Sequence, residues 1–563
     1  MRCLQVRQAR PEGRPASTAP ATSGLPGPWV GAVVAAALLV ETALLLAQVR
    51  GKLSLPLWYD EQWRAYHFSL TTGFWRELRH INTATAAGWV MVERASVFAF
   101  GNVEWAWRLP QVLALPALGW ATWRVARHWL GMVASAVIAA AVLASGPVVV
   151  HATELKPFTT EALCCVVALL LWLEASDPRR HPTMLRLAMY VGIGLCALVA
   201  VPVVFAIAPL LAVDLARGLR RRDELLRRAG PAMLAGGMAL VHLVWFVLPQ
   251  RSSANVHYWD ANFLPGSGKL AFVTRQLATF IPEVVSNYRS LPPGVNRAVI
   301  TLLVVGLVAG TAFALTDRLA WPLPVAIAGA LTIELVASAL RLWPFGFVRV
   351  NVFLVPLFYL LAGFGVARLA GFAWNWARRG RPAARAAAVA ALAVTLIGAG
   401  VGGWGVARAS AAAIAPVHRQ QHRAGWGAGM RTLVGQARVQ AGPRDLSIVA
   451  GRMGVKGWSY YMWHYEGWSP EVWASGPIPP DRTLMGDPPA RPSVTAFLAA
   501  HPTASRVLVL IMTNAHRDWR AAIAGPLTAA GYRQVGTSRA RETGMLGLWE
   551  AQSPPAPGGR TAR

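Results

Sequence analysis

Twenty-one consecutive residues, Trp29 to Val49, carry a single charged side chain, Glu41. As a helix rising 1.5 Å per residue, such a run spans the ~30 Å of a bilayer's hydrocarbon. Ten further apolar runs follow near 109–126, 132–150, 159–175, 187–200, 202–216, 231–249, 298–316, 319–340, 351–370 and 386–406. In hydrocarbon every backbone polar group must be satisfied internally, so runs of this length and number are expected to be helices. The expected architecture is therefore a polytopic α-helical membrane protein of about eleven spans. Composition agrees: 55% of the 563 residues are hydrophobic and 14% are charged, against about 25% charged in soluble domains. The 54 Lys plus Arg exceed the 26 Asp plus Glu to give a formal +28. A nucleic-acid binder concentrates such charge on a hydrophilic face; here the apolar runs dominate, so membrane lipids and not nucleic acid are the expected surroundings.

Charge sets the orientation, because cytoplasmic loops collect Lys and Arg. Residues 1–28, with Arg2, Arg7, Arg10 and Arg14, read as a disordered cytoplasmic leader. The first apolar run exceeds the 7 to 15 residues of a cleaved signal core, so it is expected to stay as an anchor. Arg179, Arg180 and Arg186 precede the stretch 187–216, and Arg217, Arg220, Arg221, Arg222, Arg227 and Arg228 follow it. Both flanks belong in the cytoplasm, which a hairpin turning at Val201-Pro202 satisfies and a single crossing does not. Arg124, Arg127, Arg378, Arg379, Arg381 and Arg385 agree. Segments 51–107, 151–158, 250–297, 341–350 and everything beyond 407 then share the outer face. Lysine occurs only at Lys52, Lys156, Lys269 and Lys456; arginine supplies the rest, as in a GC-rich bacterial genome, which points to the cytoplasmic membrane. Cys3, Cys164, Cys165 and Cys196 form no disulfide framework or zinc spacing.

Two outer segments have their own structure. In the first loop, 51–107, Trp63, Tyr66, Leu70, Phe74 and Leu78 recur at helical spacing while Arg64, Glu77 and Arg79 lie off that stripe. This predicts an amphipathic helix in the headgroup layer or packed on the bundle's helix ends. Residues 407–552 read as a small α/β domain: Leu446–Ala450 and Arg506–Met512 as buried strands, Asp518–Ala530 as a helix, and Met545–Trp549 as a strand closing the sheet. The region has no G-x-G-x-x-G and no P-loop. The Pro- and Gly-rich residues 553–563 read as a disordered tail.

Trp58-Tyr59-Asp60-Glu61 follows the first span directly. Paired acids at a helix start also complement the helix dipole without further purpose. As chemistry, one carboxylate at the membrane surface takes the proton of an acceptor hydroxyl while a sugar leaves a lipid-linked phosphate. A glycosidase needs a second carboxyl as acid; a phosphate leaving group needs cations instead. Two outer links supply them. His151-Ala152-Thr153-Glu154-Leu155-Lys156-Pro157-Phe158 brings Lys156 with Glu154, although the two also neutralise each other and a lysine stem can snorkel. Trp343-Pro344-Phe345-Gly346-Phe347-Val348-Arg349 brings Arg349, against the positive-inside trend, although a headgroup contact explains that equally well. His257, Tyr258, Trp259 and Asp260 mix aromatic and polar groups as sugar contacts do, and a capping loop looks the same.

This ordered set, with Asp-Glu in the first outer loop, an E-L-K-P-F motif closing the third span, a W-P-F-G-x-x-R motif late in the bundle and an outer tail, resembles integral-membrane glycosyltransferases of the C type over about residues 29–370. The branch it resembles includes bacterial protein O-mannosyltransferases and the aminoarabinose transferase of lipid A. The resemblance implies a sugar donor on a polyprenyl phosphate, inversion at the anomeric carbon, Asp60 as catalytic base with Glu61 as its neighbouring carboxylate, and Lys156, Glu154 and Arg349 near the donor phosphate. The acceptor is a lipid, a glycan or a protein. Some relatives use a divalent metal; Glu61 and Glu154 are the residues to hold one, without the ligand spacing of a structural zinc site, and the cofactor requirement stays open. Two other classes compete: a transporter or flippase of lipid-linked sugars, and a non-catalytic scaffold whose outer domain binds glycan or protein. A transporter places ionisable groups at the bilayer midplane and often carries internal repeats; here the mid-span acids amount to little more than Glu41 and Glu334, and no repeat is evident.

Overall fold

The structure is a computed structural model that describes residues 28–552 apart from 71–72, 82–84, 178–179, 221–224, 252, 285–292, 318, 347–348, 380–417, 443, 465–477, 487–490, 513–519 and 541–543. The leader, the expected eleventh span at 386–406 and the tail from 553 lie outside the described residues.

The first half of the chain forms α1 (Pro28–Leu53), α2 (Tyr59–Ser69), α3 (Phe74–His80), α4 (Ala87–Phe100), α5 (Glu104–Ala126), α6 (Met132–Leu143), α7 (Gly146–His151) and α8 (Phe158–Ser176). Helices Thr183–Val199, Val203–Arg220, Gly230–His242, Pro293–Thr316, Pro322–Ala339 and Leu354–Arg379 complete the bundle. Among the described residues, five helices are long and apolar enough to cross a membrane: Phe158–Ser176, Gly230–Gln250, Arg297–Thr316, Pro322–Ala339 and Leu354–Ala373. The protein is a multi-pass membrane protein. The stretch 187–216 is two helices, broken where Ala200 turns extended (φ −141°, ψ 110°) ahead of Pro202. The stretch 132–150 is not one helix. It ends at Ala144 and restarts at Gly146 with Pro147 in the first turn, where a proline ring is tolerated.

The expected amphipathic helix through Trp63 and Leu78 is two helices. α2 ends as Leu70 turns extended, and α3 starts after Gly73, whose φ of 66° is left-handed backbone that favours glycine. The break lets Phe68, Phe74 and Leu78 all reach the core. Arg64 does not lie off the buried stripe as its spacing suggested; it is buried at 9% exposure.

Residues 446–551 carry a five-stranded mixed sheet in the order β2-β1-β3-β5-β4, with β1 (Leu446–Ala450), β2 (Thr483–Gly486), β3 (Arg506–Met512), β4 (Tyr532–Ala540) and β5 (Gly544–Ala551). β1 runs parallel to β2 and β3, while β5 is antiparallel to β3 and β4. β1 and β3 are buried along nearly their whole length, as central strands read from unbroken apolar runs should be. Met545–Trp549 does not close the sheet: β4 lies outside it, and β4's alternating polar residues suit an edge with one wet face. The helix Arg452–Trp463, between β1 and β2, packs against α2. This contact joins the two halves of the chain.

Candidate active site

The loop between α1 and α2 is short and apolar, and its backbone is held by side chains from far away in sequence. Arg108, in the first turns of α5, donates to the carbonyls of Lys52 (3.2 Å), Leu53 (3.0 Å), Leu55 and Pro56 (3.4 Å). The same guanidinium grips Glu61 in a fork, Nε to Oε1 at 3.3 Å and Nη2 to Oε2 at 2.8 Å. Glu61 sits at the third position of α2 and accepts from the Trp58 amide at 2.7 Å, the reach-back of a capping box. Its other oxygen accepts from the Leu155 amide at 2.6 Å. With its side chain 4% exposed and both oxygens engaged, Glu61 ties the first loop to the 151–158 link.

Asp60, one residue earlier, points to a different environment. Its side chain is 35% exposed, and its Oδ2 faces Lys156 Nζ at 3.5 Å and Arg349 Nη2 at 3.8 Å. Burial works against ionisation of this carboxyl. Lys156, Arg64, Arg349 and Lys456 together outweigh that and hold it below the usual aspartate range.

Lys156 is 2% exposed and sits in the bend between α7 and α8, just ahead of Pro157. Burial pushes its ammonium below the usual lysine range. Glu154 raises it, Arg349 lowers it, Asp60 raises it and Arg64 lowers it. Glu154 lies 3.8 Å from the ammonium and also bonds His151 Nδ1 at 3.0 Å. Arg64, one helical turn beyond Asp60, is likewise pushed down by burial, with Asp60 pulling it back.

Near Arg349, Asn351 ties together the described parts of the 341–351 link. Asn351 accepts from the Trp343 indole at 2.7 Å and donates to the carbonyls of Pro344 (3.1 Å) and Gly346 (2.8 Å). Gly346 has φ 99°, and a Cβ there would lie 2.2 Å from Gln276, so this turn requires glycine. Phe345 donates its amide to Asn262 at 2.9 Å, which brings in the 250–297 loop. The Arg349 guanidinium lies 5.9 Å and 5.8 Å from the Tyr258 and Trp259 rings, within cation–π range. Of the aromatic and polar residues noted in that loop, Asp260 instead pairs with Arg341.

Asp60, Glu61, Glu154, Lys156 and Arg349 therefore meet at one end of the bundle. Arg64 and Arg108 belong there too and were not singled out from sequence. Arg64 has a signal, since residues four apart share a helix face; Arg108, 47 positions from its partner, has none. Among the described residues no three His, Cys, Asp or Glu side chains are grouped to hold a metal ion. Glu61 is saturated by Arg108 and two amides and Asp60 faces cations, so these residues do not fit a divalent ion and no step below passes through one.

A family model described as dolichyl-phosphate-mannose-protein mannosyltransferase matches residues 84–246. The ArnT of Cupriavidus metallidurans bound to undecaprenyl phosphate superposes with a TM-score of 0.54 at 16% identity, covering 94% of this chain and 99% of that one. Its apo form gives 0.54 at 17% over the same shares. No curated protein matches by sequence search. The chain has the fold of a C-type membrane glycosyltransferase. The resemblance read from the ordered motifs is met by this fold and by the family segment, which spans α4 through the 151–158 link to Gly230–Gln250.

Proposed function

We propose that the protein is an inverting glycosyltransferase that moves a sugar from a polyprenyl-phosphate donor to an acceptor hydroxyl at the outer face of the cytoplasmic membrane. One observation carries this reading: a partly exposed carboxylate, Asp60, faces two cations, Lys156 and Arg349, at 3.5 and 3.8 Å without being closed off by them. The undecaprenyl phosphate named with the ArnT structure supports a lipid-linked donor. The donor's phosphate sits against Lys156, Arg349 and Arg64, with its isoprenoid chain entering sideways between helices, and Glu154 holds Lys156 in place. Asp60 takes the acceptor's proton as the acceptor oxygen attacks the anomeric carbon from the side opposite the phosphate. The C–O bond to phosphate breaks with its electron pair, leaving polyprenyl phosphate. Negative charge grows on the phosphate oxygens as that bond breaks, and cations already in place stabilise it more in the transition state than before. Glu61 acts through Trp58 and Leu155, fixing Asp60 against the lysine link.

The test is Asp60→Asn in purified protein, with labelled polyprenyl-phosphate sugars, membrane extract as acceptor source and release of polyprenyl phosphate as readout. Removing a general base costs roughly 10²- to 10⁴-fold; wild-type turnover would remove Asp60 as the base. The wild-type pH profile is a second check. A base must be ionised, and Asp60 is held low, so kcat/KM should persist into acid and fall only below the ordinary aspartate value of about 3.9.

A further inference from the structure

The loop that delivers Asp60 is gripped from two sides, and the second grip comes from the C-terminal domain. Leu57, three residues before Asp60, is fully buried, and its amide donates to the Tyr461 hydroxyl at 3.0 Å across 404 residues of sequence. The same hydroxyl donates to Glu104 Oε1 at 3.5 Å, and Arg431 lies 3.3 Å from that oxygen. The Leu57 carbonyl accepts from Gln62 Nε2 at 2.7 Å, so both of its backbone polar groups are engaged. A second contact is independent of this hydroxyl. Gly427, in the helix His418–Gln440, lies so close that a Cβ would stand 2.9 Å from the Leu57 carbonyl and 3.1 Å from that of Pro56.

We infer that Tyr461 is a positioning residue for the transfer reaction, through which the C-terminal domain holds the 55–58 loop and thereby Asp60 in reacting geometry; this rests on the function proposed above. A hydroxyl suits the position because it accepts from Leu57 while donating to Glu104, which phenylalanine cannot do. Displacing a reacting group by about 1 Å can cost up to 10²-fold in rate, so a loosened loop should show in turnover before it shows in donor binding.

The experiment compares Tyr461→Phe with Tyr460→Phe in the full-length protein. Tyr460 is the neighbouring buried tyrosine, and its hydroxyl goes to Asn102 at 3.4 Å instead of to the loop. For Tyr461→Phe we expect kcat to fall about tenfold or more, donor KM to stay within about twofold, the melting temperature to hold and the Leu57 amide to exchange hydrogen faster. Tyr460→Phe should leave kcat and that exchange as in wild type. Should Tyr461→Phe not fold, Gly427→Ala pushes the same loop from the other contact and should give the same split between kcat and KM. Wild-type kcat in Tyr461→Phe, with or without faster exchange, overturns the inference, and so does an equal fall of kcat and melting temperature in both tyrosine variants. If Asp60→Asn keeps full turnover while Tyr461→Phe loses it, the loop is still positioned by Tyr461 and the choice of Asp60 as base is what fails.

Discussion

The bundle holds a buried or half-buried aspartate near each of two ends, and the two are built differently. Asp214 is fully buried, and one oxygen accepts both the Trp172 indole at 2.7 Å and the Tyr190 hydroxyl at 2.6 Å, with Arg228 3.8 Å from the other. Trp172 lies fourteen residues along α8 from Phe158, about 21 Å at 1.5 Å per residue, so this cluster is remote from Asp60. There a carboxylate fastens three helices and is closed off. Asp60 is 35% exposed, and its ion pairs with Lys156 and Arg349 are at 3.5 and 3.8 Å. Lys156 and Arg64 are themselves deeply buried, and the carboxylates nearest Lys156, Asp60 and Glu154, stand back at 3.5 and 3.8 Å. Burying charge is costly unless it is paired, so cations held loosely around an accessible acid suit a site where an anion arrives. Glu61, next to Asp60 in sequence, is built in the manner of Asp214.

If Glu61 is a fastener, Arg108→Met leaves its buried carboxylate without its counter-ion, and breaking such a pair costs about 3 to 5 kcal/mol. The protein should melt markedly earlier in detergent; an unchanged melt would erase the distinction between the two neighbouring acids. Lys156→Met addresses the other side of the comparison. It should cost roughly 2.7 to 4 kcal/mol of transition-state stabilisation, a hundredfold or more in turnover, with little change in melting. An early melt at full turnover would make the Asp60 cluster a fastener too. Asp214→Asn should have the smallest effect, about 1 kcal/mol of stability for weakened hydrogen bonds, with turnover intact. A large loss of turnover there would show the remote end coupled to chemistry.

Much of this layout was legible in the chain. Arginine runs around 187–216 required a hairpin, and the structure breaks that stretch at Ala200. The five segments assigned by charge to one face meet: Leu57 with Tyr461, Glu61 with Leu155, Asp60 with Lys156 and Arg349, and Asn262 with Phe345. Side-chain periodicity continues in phase across the break at Gly73, so spacing describes one amphipathic helix where the structure has two. Burial of Arg64 is not legible from a hydropathy stripe, which treats every arginine as solvent-facing, although a carboxylate four residues away can bring one inside.

What the sequence by itself determined is the membrane-spanning class, the segments that gather at one end and the acids and cations they carry, because hydropathy and net charge act locally along the chain. Only the tertiary structure decided that Asp60 is open while Glu61 is locked, and that a C-terminal helix holds the loop between α1 and α2. Those outcomes depend on hydrogen bonds such as Arg108 to Glu61 and Tyr461 to Leu57, whose partners are tens to hundreds of residues apart and meet only when the helices pack.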